Sequence, residues 1–452
     1  MEDEGIAEML RTPESIRTLQ RKLYRKAKQE PACRFHALYD KVYRADILGH
    51  AYNLVRAKKG SAGIDGVTFE AIEAGEGASA FVAELGEALR SKTYKPCPVK
   101  RVMIPKGKGR YRALGIPTIR DRVAQMAAKL VMEPIFEAEF CDTSYGFRPG
   151  KSAHDALDDV AHTLNRGYSE VIDADVSKYF DTIPHSKLMT MVAERISDGS
   201  MLHLIQMWLK APIMEEDEDG TKRHIGGGKG KRKGTPQGGV ISPLLANLYL
   251  HLVDRIWKRR QLQQKLGARI VRYADDMVIL CRSGTKRPMA VLRDILGRMG
   301  LVLNETKTCV VDAQREMFSF LGFEIGIWVS RGTGRRYAHV QPSKESLERI
   351  KSRITGMTAR GTTRIPLEDL VREVNRVVGG WVEYFHFRNC SKRMLQVRTH
   401  LEERLRTHLR KRYKIRDRRS GYVRIPRRDL YERYGLFRVP ATAGWKKAHA
   451  LR

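Results

Sequence analysis

The tetrapeptide Tyr273-Ala274-Asp275-Asp276 constrains this chain more than any other stretch. Apolar runs flank it, Ile270-Val271 before and Met277-Val278-Ile279-Leu280 after. That pattern predicts a strand, a tight turn and a second strand. Two adjacent carboxylates at a hairpin tip repel each other and call for a cation. A third carboxylate is then expected elsewhere. Val171-Ile172-Asp173-Ala174-Asp175-Val176 alternates as a strand does, with Asp173 and Asp175 on one face. Spacing alone does not separate the two. Phe180 follows five residues after Asp175, and Asp181 comes next. Three carboxylates from two strands suit two Mg²⁺ ions serving an in-line phosphoryl transfer. Hard carboxylate oxygens, with no soft ligand nearby, favour Mg²⁺.

Charge names the partner. Across 452 residues, Lys+Arg total 84 and Asp+Glu 52, a net charge of +32. Such an excess seeks polyanions, and nucleic acid is the usual one. Hydrophobic content of 42% fits a folded protein with room for two or three domains. The six cysteines form no Cys-x-x-Cys pair, so neither a zinc site nor a disulfide framework is expected. The longest apolar run, around Ile241 to Val253, is too short and interrupted to span a bilayer. The acidic start, Met1-Glu2-Asp3-Glu4, is unlike a signal peptide. A cytoplasmic protein with no membrane partner is the expectation.

Residues 1–60 read as a helical extension, with Thr12 as N-cap and Pro13 at the first helical position. The insert Gly226-Gly227-Gly228-Lys229-Gly230-Lys231-Arg232-Lys233 reads as a flexible, phosphate-contacting loop. Ile104 to Pro117 reads as a cationic hairpin on which Lys106 and Arg112 clamp a triphosphate. Gly234-Thr235-Pro236-Gln237-Gly238-Gly239 is a turn-rich loop that lets backbone approach a ligand. From about 343 three amphipathic stripes predict a small helical bundle. They are Leu347, Ile350, Ile354; then Leu367, Leu370, Val371, Val374, Val377, Val378, Trp381; then Met394, Val397, Leu401, Leu405. From Trp381 onward there are 21 Lys+Arg against 6 Asp+Glu, counted along the chain. The stretch 411–452 reads as a basic nucleic-acid-binding region.

The ordered motifs resemble the reverse transcriptases of bacterial group II introns. They are Ile-Pro-Lys-x5-Arg-x-Leu-Gly-Ile-Pro from Ile104, Ser144 to Gly150, Asp175-x4-Phe180-Asp181, Pro236 to Gly239, Tyr273 to Asp276, Leu303 to Thr308, and Phe320 to Phe323. The helical part, with Val378-Gly379-Gly380-Trp381-Val382-Glu383-Tyr384-Phe385, resembles the family's maturase (thumb) domain. The resemblance implies an α+β right-hand polymerase. Its fingers and palm would occupy 61–335, with an antiparallel palm sheet, and its helical thumb 340–410. It implies a metal set of Asp175, Asp275, Asp276 and Val176, with Asp173 and Asp181 in supporting places. Phe180 would be the aromatic gate beneath the sugar, selecting deoxynucleotides. Lys106, Arg112, Gln237, Gly238 and Lys307 would face the nucleotide. Lys307 matches a lysine that protonates pyrophosphate or contacts phosphate. Arg148, Lys229, Lys231, Arg232, Lys233, Arg410, Lys411 and Arg412 are the expected nucleic-acid contacts. The implied partners are group II intron RNA, a DNA target or primer, and dNTPs. With no Cys-x-x-Cys pair and no His-Asn-rich block after the tail, no endonuclease domain is expected. Two other readings fit the same residues: a host-domesticated polymerase in DNA repair or phage defence, and a splicing-only RNA-binding maturase.

Overall fold

The computed structural model describes residues 11–445 except Lys108 and Glu218, and leaves the side chains of Lys106 and Arg110 undescribed. The first helix, α1 (Glu14–Gln29), starts after Pro13, whose extended backbone makes it the cap; no side chain caps this end. The expected Thr12 cap is thus displaced by one residue. Helices α2 (Ala45–Arg56) and α3 (Gly77–Arg90) follow. Strands β1 (Val99–Gly107) and β2 (Arg110–Ile116) form the cationic hairpin. Helix α4 (Ile119–Glu137) is capped by Thr118, and α5 (Ala153–Asn165) by a reciprocal Ser152–Asp155 box. The extension is not a separate unit: Ile16, Leu23, Ile47 and Leu48 share one core with α4.

Next come β3 (Glu170–Ala174), α6 (His185–Ala193), α7 (Gly199–Leu209), β4 (Ile213–Glu216) and β5 (Lys222–Gly226). Then follow α8 (Ser242–Arg259), β6 (Ala268–Tyr273), β7 (Asp276–Cys281), α9 (Lys286–Met299) and β8 (Cys309–Asp312). A four-stranded sheet in the order β6-β7-β3-β8 is antiparallel throughout. Ile172, Met277 and Ile279 face α8 and α9, while Val171, Val278 and Leu280 face α5. A sheet covered on both faces needs near-continuous apolar strands, which is how β7 reads. A second sheet, β2-β1-β4-β5, carries the cationic hairpin beside the Gly-rich insert.

That insert corrects the expectation of a flexible loop. Gly226 ends β5, Gly228 N donates to Lys210 O (2.9 Å), His185 N to Arg232 O (2.9 Å), and Lys233 bridges to Pro184. Glycine composition signalled mobility, but it does not reveal backbone hydrogen bonds.

A third sheet joins β9 (Phe318–Phe320), β10 (Phe323–Val329) and β11 (Arg336–Pro342). Helices α10 (Lys344–Met357), α11 (Leu367–Phe385) and α12 (Ser391–Arg412) form the bundle. The three stripes interlock there, with Leu367, Val377 and Trp381 at the rim. The expected break at 411 is absent. Helix α12 runs on to Arg412, and Ile425, Leu430, Leu436 and Val439 belong to the same core as Leu347. Tyr413, Tyr422 and Trp445 are exposed, whereas Tyr431, Tyr434 and Phe437 pack on that core. The bundle meets α5 at one corner, where Arg388 pairs with Asp158 (2.6 Å) and the His154 ring stacks on Phe387 (4.4 Å). Among the described residues no helix is long and apolar enough to cross a membrane.

Candidate active site

The turn forms as expected. Tyr273 pairs with Asp276, leaving Ala274 and Asp275 as a two-residue loop. Ala274 has φ +57°, a left-handed conformation that costs an alanine energy and must be held by its surroundings. The holding comes from below. Arg272 is wholly buried, and all five of its N–H groups are used. It pairs with Asp254 of α8 (2.6 Å), and donates to Asn247 Oδ1 (3.0 Å), Ser144 Oγ (2.7 Å) and the Ala274 carbonyl itself (2.9 Å). Gly146 lies against the same loop, where a Cβ would collide with the backbone of Tyr273 and Ala274. Tyr145 N donates to Arg272 O (2.8 Å) and Arg272 N to Thr143 O (2.9 Å), so the Ser144–Gly150 motif begins as a buttress for β6. None of this was read from sequence. The available signal was Asp254 itself, a lone carboxylate on the apolar face of α8, since a buried charge needs a partner.

Asp173, Asp175 and Asp276 line one cavity of about 670 Å³ with Lys307, Phe320 and Glu324. Burial, then the charges of Asp276 and Asp175, push the Asp173 carboxyl up to about 6. Mutual repulsion of that kind is what a cation relieves. Asp275 does not line this cavity; it sits half-buried on the loop, where its charge reaches the buried Tyr179. Among the described residues no three carboxylate, histidine or cysteine side chains are gathered closely enough to hold an ion as they stand. Lys307 Nζ lies 3.2 Å from Asp175 and serves as its counter-charge. Val176 is buried and pairs with Leu303 through its backbone, so only its carbonyl has ligand chemistry. Asp181 is exposed and 3.5 Å from Gln237 Nε2.

A second cavity, about 650 Å³, is lined by Phe180, Phe147, Arg112, Gln237 and Gly238. Gln237 Oε1 accepts from Arg112 Nε (2.7 Å), which orients the guanidinium. Gly238 has φ +114°, and a Cβ there would strike Gly115 O. Gly115 N donates to Gln237 O (2.5 Å) and Thr235 N to Phe180 O (2.8 Å), so the loop is stitched both to the cationic hairpin and to the aromatic residue. Lys106 lies on β1, but its side chain falls outside the described residues.

Two expected nucleic-acid contacts are corrected. Arg148 is buried, with its guanidinium held by Glu137 (2.6 Å) and the carbonyls of Cys141 and Ser144 (both 2.6 Å). Arg412 donates to Thr363 O (3.0 Å) and Ile365 O (2.7 Å), closing the bundle. Arg410 is half-buried against Gly421 and donates to Arg416 O (3.2 Å), while Lys411 is exposed. Lys229, Arg232 and Lys233 are exposed; Lys231 is half-buried, and desolvation lowers its pKa.

A palm sheet with carboxylates at one end, a cationic hairpin beside it and a helical bundle beyond it define a nucleic-acid polymerase of the right-hand type. The reverse transcriptase (RNA-dependent DNA polymerase) family matches residues 104–325, and the group II intron maturase-specific domain matches 347–424. Protein YkfC of Escherichia coli (strain K12) is 33% identical over 351 residues, covering 69% of this chain and 88% of that protein. The group II intron-encoded protein LtrA of Lactococcus lactis subsp. cremoris is 35% identical over 229 residues, 49% of this chain and 35% of LtrA. An uncharacterized 91 kDa protein in the cob intron of Schizosaccharomyces pombe is 27% identical over 371 residues, 67% of this chain and 45% of that protein. This chain thus spans most of the first relative and less than half of the other two. Among solved structures, the partial Cas6-RT-Cas1–Cas2 complex aligns at TM-score 0.35 and 21% identity, over 57% of this chain and 42% of that one, too loosely to build on. The chain belongs to the group II intron family of reverse transcriptases that carry a maturase domain.

Proposed function

We propose that this reverse transcriptase extends a DNA primer on an RNA template using dNTPs, and that its bundle holds group II intron RNA to assist splicing and mobility. One observation carries the polymerase reading: Asp173, Asp175 and Asp276 share one cavity beside a turn that also presents Asp275. The donor chemistry fits hard divalent cations, being all carboxylate with one carbonyl. Asp175, Asp275, Asp276 and the Val176 carbonyl would hold two Mg²⁺ ions, which when bound stabilise the attacking and leaving oxygens.

The chain's own residues do the rest. Arg112, oriented by Gln237, binds triphosphate oxygens. Phe180 lies under the sugar, where a 2′-OH would collide with its ring. Gly238 lets the loop backbone approach the new base pair. Lys307 neutralises Asp175, which supports a charge-balancing role over proton donation. Lys229, Arg232, Lys233 and Lys411 offer exposed cations to phosphates. Structured RNA is read through backbone and shape, which suits such a dispersed cationic surface. These substrates would place the protein with the nucleoid in a bacterial cytoplasm.

Asp275→Asn tests the site. Primer extension should be abolished while RNA binding stays near the parent value. Surviving extension would remove the two-metal assignment. Ending the chain after Pro342, where β11 is complete, should remove intron binding. If splicing assistance persists there, the RNA surface lies on the N-terminal helices.

A further inference from the structure

The Gly-rich insert meets the start of α6 around a pocket of about 370 Å³. None of Asp173, Asp175, Asp275 and Asp276 lines it. Four cations do: Lys210, just past the end of α7, and Lys229, Lys231 and Arg232 of the insert. Among the described residues none of the four forms an ion pair; the carboxylate whose charge reaches Lys231 is Asp181. Helix α6 opens on the same space through Ser186. Its cap is Pro184, which offers no side-chain acceptor, so the Ser186 and Lys187 N–H groups have no partner among the described residues. Such a helix start attracts anions. His185 also lines the pocket and is 7% exposed. Its Nε2 lies 2.7 Å from the Gly234 carbonyl, which can only accept, so Nε2 carries the ring proton. Nδ1 is then a bare lone pair, buried and without a partner. Burial lowers the pKa of this ring below the usual 6.5; the Gly234 carbonyl opposes that, and Lys231 and Lys210 add to it. A neutral acceptor thus stands amid four cations. Buried and unpaired it costs free energy, which a ligand bringing one proton would relieve.

We propose that this pocket binds a free phosphate-class anion that keeps a proton: hydrogen phosphate, or pyrophosphate with one proton bound. The cations and the two N–H groups take the charged oxygens. The anion's own O–H donates to His185 Nδ1. A nucleic-acid backbone meets only half of that demand. Its phosphodiester carries one negative charge and no O–H, and would set an oxygen against the Nδ1 lone pair. Sulfate, with no proton near neutral pH, fails in the same way.

The test uses the full chain without divalent metal. Calorimetric titrations with sodium phosphate, pyrophosphate and sulfate are run near neutral pH at matched ionic strength. The parent should bind phosphate or pyrophosphate about 10-fold tighter than sulfate. Tighter pyrophosphate assigns the pocket to the leaving group of the polymerase reaction, and tighter phosphate to the free ion. His185→Gln keeps an amide N–H for the Gly234 carbonyl and drops the Nδ1 acceptor. It should lower phosphate affinity about 10-fold and leave sulfate no weaker, so the preference vanishes. Lys210→Ala/Lys229→Ala should weaken every anion about 10- to 100-fold. Both lysines are exposed, so this variant stays informative if thermal unfolding shows that His185→Gln has not folded. A 5′-hydroxyl RNA oligonucleotide, which holds only diesters, should bind His185→Gln as it binds the parent. If that variant loses RNA and phosphate together, the pocket is a backbone contact and the proposal falls. Equal affinity for phosphate and sulfate in the parent, or no binding of either, would also overturn it. Extension by Asp275→Asn would sink the polymerase reading and leave these binding results as they stand.

Discussion

Asp254→Asn tests whether the buried buttress holds the catalytic turn. Both side chains of the Arg272–Asp254 pair are fully buried. The substitution keeps the shape and removes the charge, so the guanidinium is left uncompensated. Breaking a buried pair from one side costs about 3–5 kcal/mol, and the isosteric change belongs near the lower end. Domain stabilities run to about 5–15 kcal/mol, so the loss is a large share. The control is Asp294→Asn, which removes the Arg298–Asp294 pair, whose side chains are 73% and 48% exposed. That change should cost about 0–1 kcal/mol. Urea unfolding followed by tryptophan fluorescence reads both, since Trp257 is buried three residues from Asp254. Extension is then measured in buffer where the variant remains folded. Because the same guanidinium holds the Ala274 carbonyl, the turn should shift and the extension rate should fall about 10-fold or more. If Asp254→Asn unfolds and extends like Asp294→Asn, the buttress argument is wrong.

Two further outcomes are expected. Phe180→Ala should raise ribonucleotide over deoxynucleotide incorporation by about 10- to 100-fold, read from single-nucleotide kcat/KM; unchanged sugar selectivity refutes the gate. His251 packs edge-on against Phe140, and burial lowers its pKa from 6.5 to about 4. The unfolded chain therefore binds more protons between those values, so stability is present above about pH 6.5 and lost as pH falls toward 4. That slope, worth about 3 kcal/mol in full, should vanish in His251→Gln when urea midpoints are compared across this range.

Local pattern made much of this fold legible. The β6–β7 turn, β3 and the three bundle stripes each follow from periodicity within a dozen residues. What stayed hidden depends on distance along the chain. Ser144 and Arg272 are 128 positions apart, and no spacing rule joins them. Arg148 and Arg412 looked like phosphate ligands because arginine in a basic chain has that default; backbone carbonyls take up both guanidinium groups, and Arg148 is buried as well. The break at 411 was drawn from charge density, whereas the apolar Ile425, Leu430, Leu436 and Val439 decide where a core ends. Asp173 and Asp175 could not be ranked by alternation, and both line the cavity.

The shared bundle core also has a consequence in time. Leu347 and Val439 pack in one cluster, 92 positions apart (439 minus 347). Domains fold largely as they emerge, at about 5–20 residues per second. The apolar side of α10 therefore waits about 5–20 s on the ribosome for its last partners. The palm, complete earlier, can close during that interval. A chaperone has those seconds in which to meet an unfinished bundle.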